Sequence, residues 1–143
     1  MAAITKITAE ITTADVDEAG TDSWLYLGIA GREFVLDLAG ASDADRGQGD
    51  TYVFGTDSNV EEAEYNDPRH PQLDTAAVAR NPVYVRMEPE GSAPGWCLER
   101  ATVVVNPGGE DSSTYDNEAL VGGSKLWLGQ SYGKIVYLDR WNA

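Results

Sequence analysis

The sequence predicts an all-β fold, an antiparallel β-sandwich. Apolar and polar residues alternate with period two through most of the apolar stretches. Clusters of Gly, Pro, Asn and Asp separate these stretches at the spacing of a sandwich. Helical periodicity is nearly absent. With 143 residues and 42% hydrophobic composition, residues 1–143 suit a single domain with one core.

The elements follow in order. Ile4 to Ile11 alternates and reads as a strand with one apolar face. Trp24 to Ile29 and Glu33 to Leu38 read as two strands joined by a tight hairpin at Ala30-Gly31-Arg32. Thr51 to Phe54 is short and β-rich. Val83–Met87, Trp96–Val105, Lys125–Leu128 and Ile135–Leu138 bring the expected total to eight strands. Asp74 is placed to cap one or two helical turns that Asn81-Pro82 stops. Residues 57–73 and 106–123 read as loops, being polar and rich in turn-forming residues.

Charge excludes several functions. The chain carries 10 basic and 24 acidic residues, a net charge of −14. Nucleic-acid binding needs a basic footprint, and none exists here. Unaided adsorption to an anionic membrane meets a field of the wrong sign. No apolar run is long enough for a transmembrane segment, and no signal peptide stands at the start. A cytoplasmic protein is expected, although a secreted chain whose leader had been removed would read the same. The single cysteine, Cys97, excludes an internal disulfide framework.

Three segments resemble a known family. They are Gly20-Thr21-Asp22-Ser23-Trp24-Leu25-Tyr26-Leu27, then Pro94-Gly95-Trp96-Cys97-Leu98-Glu99-Arg100-Ala101-Thr102-Val103, then the closing Tyr137-Leu138-Asp139-Arg140-Trp141. Their order and spacing resemble the PLAT/LH2 domain, the β-sandwich module of lipoxygenases, pancreatic-type lipases and polycystins. The likeness runs over essentially the whole chain, as a stand-alone domain. Residues 57–73 and 106–123 depart from it and look like insertions. The resemblance implies two four-stranded sheets and a binding role toward lipid surfaces or partner proteins, often with Ca2+ in the loops at one end. It does not imply catalysis.

The acidic loops are where a hard cation would bind, because Ca2+ takes six to eight oxygen ligands. By the resemblance, Asp22 and the carbonyls of Gly20 and Thr21 serve from the first loop. Asp43, Asp45 and Asp50 serve from the second, and Glu90 closes a further site. Arg46 stands inside the second loop as a competing cation. Turn formation alone also explains Asp and Gly in these loops, since Asx-turns need no metal.

Alternation turns Trp24 and Tyr26 outward when Leu25 and Leu27 face the core. The pair therefore reads either as an interface or as a face covered by the long loops. Trp96 and Cys97 read as core. His70, in a Pro-flanked loop, reads as a surface residue. Three functional readings result. The first is a PLAT-like binding module for a protein or lipid surface, with Ca2+. The second is a small biosynthetic enzyme with a pocket built from the 57–73 and 106–123 loops. The third is a structural or oligomerising protein using the Trp24/Tyr26 face.

Overall fold

The structure is a computed structural model that describes residues 2–91 and 95–141. Pro94 of the second family-like segment, and the rest of 92–94, lie outside the described residues.

The alternating segments form the strands. These are β1 (Lys6–Thr13), β2 (Trp24–Ile29), β3 (Arg32–Val35), β4 (Gly49–Gly55), β5 (Val83–Glu88), β6 (Trp96–Val105), β7 (Ser113–Asp116), β8 (Leu126–Leu128) and β9 (Ile135–Arg140). Two short helices are α1 (Thr75–Arg80) and α2 (Glu118–Val121). One layer runs β4-β1-β6, with β7 and β8 sharing the far side of β6. The other layer runs β3-β2-β5-β9. Every pairing is antiparallel.

The expected sandwich is the fold that forms, with one refinement. The last strand belongs to both layers: Val83 faces Leu138 across β5, while Asp116 faces Asp139 across β7. The two layers are thus edges of one curled nine-stranded sheet. The extra strand, β7, arises inside the stretch that reads as a loop.

Local rules explain the connections. Ala30 and Gly31 both take positive φ, 54° and 79°, between paired Ile29 and Arg32. That is the two-residue turn whose twist matches a hairpin. The Asp74 carboxylate accepts the Ala77 amide at 2.9 Å and caps α1, which ends at Arg80 before Asn81-Pro82.

Alternate residues of both layers fill the core. Trp96, Tyr52, Phe34 and Phe54 are its largest fully buried side chains. The Trp96 indole N–H donates to Thr13 Oγ1 at 2.8 Å, so its one polar atom is satisfied in the interior. Cys97 is buried in a smaller cluster with Ala14 and Ala19, against which Trp127 packs.

The two end strands of the main sheet path, β3 and β4, each have an asparagine side chain bonded to their open edge. Asn66 Oδ1 accepts the Val35 amide at 2.8 Å on β3. Asn59 accepts the Val53 amide at 2.8 Å and donates to the Thr51 carbonyl at 2.8 Å on β4. These amides occupy backbone groups that would otherwise template another strand.

Candidate functional site

Three loops are stitched together at the end of the sandwich where β6 begins. Ala14 and Ala19 bracket Cys97, giving it one amide at 2.9 Å and taking another at 3.0 Å. The first loop then locks to the second: Thr21 N donates to Ala44 O at 3.1 Å, and Gly47 N donates to Ala14 O at 3.1 Å. Gly20 lets the two backbones approach closely at this seam. A Cβ there would sit 3.0 Å from the Arg46 amide nitrogen and 3.1 Å from the Ala44 carbonyl. The third loop joins through the Glu90 amide, which donates to Ser23 Oγ at 3.2 Å.

A cavity of about 330 Å³ opens between these loops. Thr21, Asp22, Ser42, Asp43 and Glu90 line it together with Asp37 and Trp24. Its walls therefore carry four carboxylates and no basic side chain. Asp43 is half-buried and accepts the Leu38 amide at 2.9 Å. Burial pushes the Asp43 carboxyl above its ordinary range, and the charges of Asp50 and Asp45 add to that. Burial likewise raises Asp37, helped by the charges of Asp43 and Glu61. Behind them the Tyr52 hydroxyl is fully buried beside Asp43, with no well-formed hydrogen bond among the described residues. Burial and the nearby Asp43 and Asp50 charges push its ionisation well above the usual phenol range.

The residues named as metal ligands fall into two groups. Thr21, Asp22, Asp43 and Glu90 line the cavity, with Gly20 adjacent at the loop seam. Asp45 and Asp50 do not line it. Asp45 accepts the Ser42 hydroxyl at 2.6 Å. Asp50 is buried and holds the second loop from beneath, accepting the Ala44 amide at 2.9 Å and the Gln48 side-chain amide. Arg46 does not compete for the cavity, because it points away to Asp15 and Asp17, both at 3.0 Å.

Sequence reasoning did not name Asp37 as a ligand. The signal was present: continuing the alternation of Glu33 and Val35 puts Asp37 on the same face, beside the second loop. Nor did it name Tyr132, which is 50% exposed and stacks on Trp127 with ring centroids 5.8 Å apart. Gln130 in that loop donates to the Gly91 carbonyl, which brings Tyr132 to the same end as Glu90.

Every charged group lining the cavity is a carboxylate, the hard-oxygen type of donor. Among the described residues, no three acidic, histidine or cysteine side chains are arranged closely enough to hold a metal ion. Asp22 and Glu90 are exposed at the mouth of the cavity. The two aromatics of β2 differ. Trp24 is 45% exposed at the rim of the cavity. Tyr26 is half-buried beneath the Arg86 guanidinium, 4.3 Å from its ring centroid. Arg86 is held there by Glu33, at 2.8 and 2.9 Å.

The loops proposed for a catalytic pocket do not build this cavity. The 106–123 stretch starts at the opposite end of β6, where Asn106, Asp111, Lys6 and Thr56 line a separate recess of about 300 Å³. His70 is exposed.

No family model and no curated protein matches this chain. Solved structures do match its fold. Alpha-toxin from Clostridium absonum aligns over 96% of this chain and 32% of the toxin, with 19% identity and a TM-score of 0.58. Alpha-toxin from an avian strain of Clostridium perfringens aligns over the same shares, with 18% identity and a TM-score of 0.58. Coral 8R-lipoxygenase aligns over 94% of this chain and 17% of the enzyme, with 16% identity and a TM-score of 0.56. That enzyme is described as calcium-activated through a C2-like domain. This chain thus has the fold of a PLAT/C2-like β-sandwich and spans about a third of the toxins and about a sixth of the lipoxygenase. No helix among the described residues is long and apolar enough to cross a membrane.

Proposed function

We propose that this chain is a PLAT-like binding module that docks on a lipid surface through Ca2+ held at its acidic end. One observation carries the reading: Asp22, Asp37, Asp43 and Glu90 share a cavity with no basic side chain, beside the exposed Trp24. Asp43 and Asp37 supply its floor, while Asp22 and Glu90 come from its rim. The carbonyls of Gly20 and Thr21 complete the oxygen set. Asp45 and Asp50 act indirectly by holding the second loop in place.

The bound cation has two effects. It cancels part of the negative field that repels anionic headgroups, and it offers open coordination positions to phosphate oxygens. Trp24 and Tyr132 are placed to enter the headgroup region, where amphipathic rings are favoured. The fold of the toxin and lipoxygenase neighbours, and the calcium activation stated for the coral enzyme, support this reading.

Vesicle co-sedimentation tests it. Phosphatidylcholine vesicles, with and without phosphatidylserine, should retain the protein in Ca2+ and release it in chelator. Asp43→Asn should abolish retention. Equal recovery of the wild type with and without Ca2+ would reject the proposal.

A further inference from the structure

A second, wider groove of about 710 Å³ lies on the other side of Trp24 and Asp37. Its apolar lining comes from Trp24, Val35 and Leu38, and its acidic lining from Asp37, Glu61 and Glu62. The wall is fixed by backbone bonds. Ala39 N donates to Asn59 O and Glu61 N to Asp37 O, both at 2.9 Å, with Leu38 bridged to Val60.

The groove's charge is uncompensated. None of the ion pairs among the described residues involves Asp37, Glu61 or Glu62. Arg32 on β3 gives its guanidinium to the carbonyls of Tyr65 and Asp67, at 2.9 and 2.7 Å. The Asn66 amide is also spent, on the Val35 amide and the Glu62 carbonyl. What the groove offers a visitor is an indole, an aliphatic floor and three carboxylates.

That combination matches one side chain closely. An arginine lays its methylene stem along apolar surface, stacks its planar head on an aromatic ring and bonds carboxylates with several N–H groups. A lysine lacks the planar head, and a metal ion has no use for the apolar floor. We propose that this groove docks a protein partner by accepting an arginine side chain over Trp24, between Asp37 and Glu61–Glu62. The commitment to a protein rests on charge complementarity: the chain's −14 net charge favours a basic segment. The groove does not require a cation in the neighbouring cavity, so this inference stands apart from the lipid reading.

The test uses the full chain, labelled with 15N and kept in chelator. The probe is the blocked peptide acetyl-Gly-Arg-Gly-amide, with its Gln counterpart and tetramethylammonium as comparisons. The Arg peptide should shift the Trp24 indole N–H and the amides of Glu61 and Glu62 in a saturable way. The Gln peptide should leave them in place. The double variant Glu61→Gln/Glu62→Gln should weaken binding at least about fivefold, as should raising the salt well above about 0.15 M. That variant leaves every residue lining the first cavity intact, so vesicle retention in Ca2+ should persist. Absent shifts, equal shifts with the Gln peptide, or unchanged affinity in the double variant would overturn the proposal. Tighter binding of tetramethylammonium than of the Arg peptide would also overturn it, making the groove a quaternary-amine site instead.

Discussion

The Tyr52 hydroxyl lies buried behind the Asp43 carboxylate, close enough for each to shift the other's ionisation but without the geometry of a well-formed hydrogen bond. A buried hydroxyl without a partner costs free energy, and so does a half-buried carboxylate among other carboxylates. Both costs fall on the wall of the same cavity. Tyr52 also anchors the core, with no side-chain surface left to solvent.

Tyr52→Phe should therefore stabilise the Ca2+-free protein. It keeps the ring and removes the unsatisfied oxygen, a gain of about 1 kcal/mol. Urea unfolding in chelator measures it. A loss of stability would show that the hydroxyl is satisfied in solution.

The acidic cavity also sets a pH dependence. Asp37 and Asp43 are raised in the folded state, so the fold binds more protons there than the unfolded chain does. Their contribution to stability therefore falls as pH rises from the unfolded carboxylate value, about 4, through the raised folded values. Glu33 and Asp67 shift the other way, held low by hydrogen bonds from Arg86 and Arg69. Their contribution is lost only below about pH 4. Melting in chelator should thus occur at a higher temperature near pH 5 than near pH 7. Asp43→Asn should reduce that difference, because the amide oxygen can still accept the Leu38 amide but carries no charge.

Arg100 and Asp116 make a prediction about stability. The Asp116 side chain is only 3% exposed, and Arg100 donates to it at 2.6 Å, joined by Thr102 at 3.1 Å and the Asn117 amide at 2.9 Å. Arg100→Met strands a buried carboxylate. Discounted for the partial exposure of Arg100, the loss should be about 1–3 kcal/mol. Chemical denaturation checks it, and Glu99→Gln, next door on the exposed face, should change little.

The asparagine edge plugs predict a change in solution behaviour. Asn59→Ala and Asn66→Ala should each cost about 1 kcal/mol. They should also promote self-association visible by light scattering, because each frees backbone groups on an edge strand. Unchanged monodispersity in both variants would contradict that role.

Much of the architecture was legible in the sequence because the signals were local. The Ala30-Gly31 turn, the Asp74 cap and the alternation of β1, β2, β5 and β6 each announce themselves within a few residues. β7 did not, because Ser-Thr-Tyr-Asp has no apolar alternation. It exists through what surrounds it: Val103–Val105 on one side, Asp139–Arg140 on the other, and Asp116 answering Arg100. The cavity was legible as a set of acidic loops, but its membership was not. Asp50 faces inward because the second loop needs a buried acceptor for the Ala44 amide, and Asp37 reaches the cavity from the extended segment that follows β3. Arg46 is drawn away by Asp15 and Asp17, a pairing across 31 and 29 residues that local sequence cannot reveal.

The most direct measurement is thermal melting with Ca2+ against chelator, on the wild type and Asp43→Asn. Ca2+ at about 100 times its dissociation constant should add about 2.7 kcal/mol to the stability of the wild type and almost nothing to the variant. Superimposable wild-type curves would contradict the account.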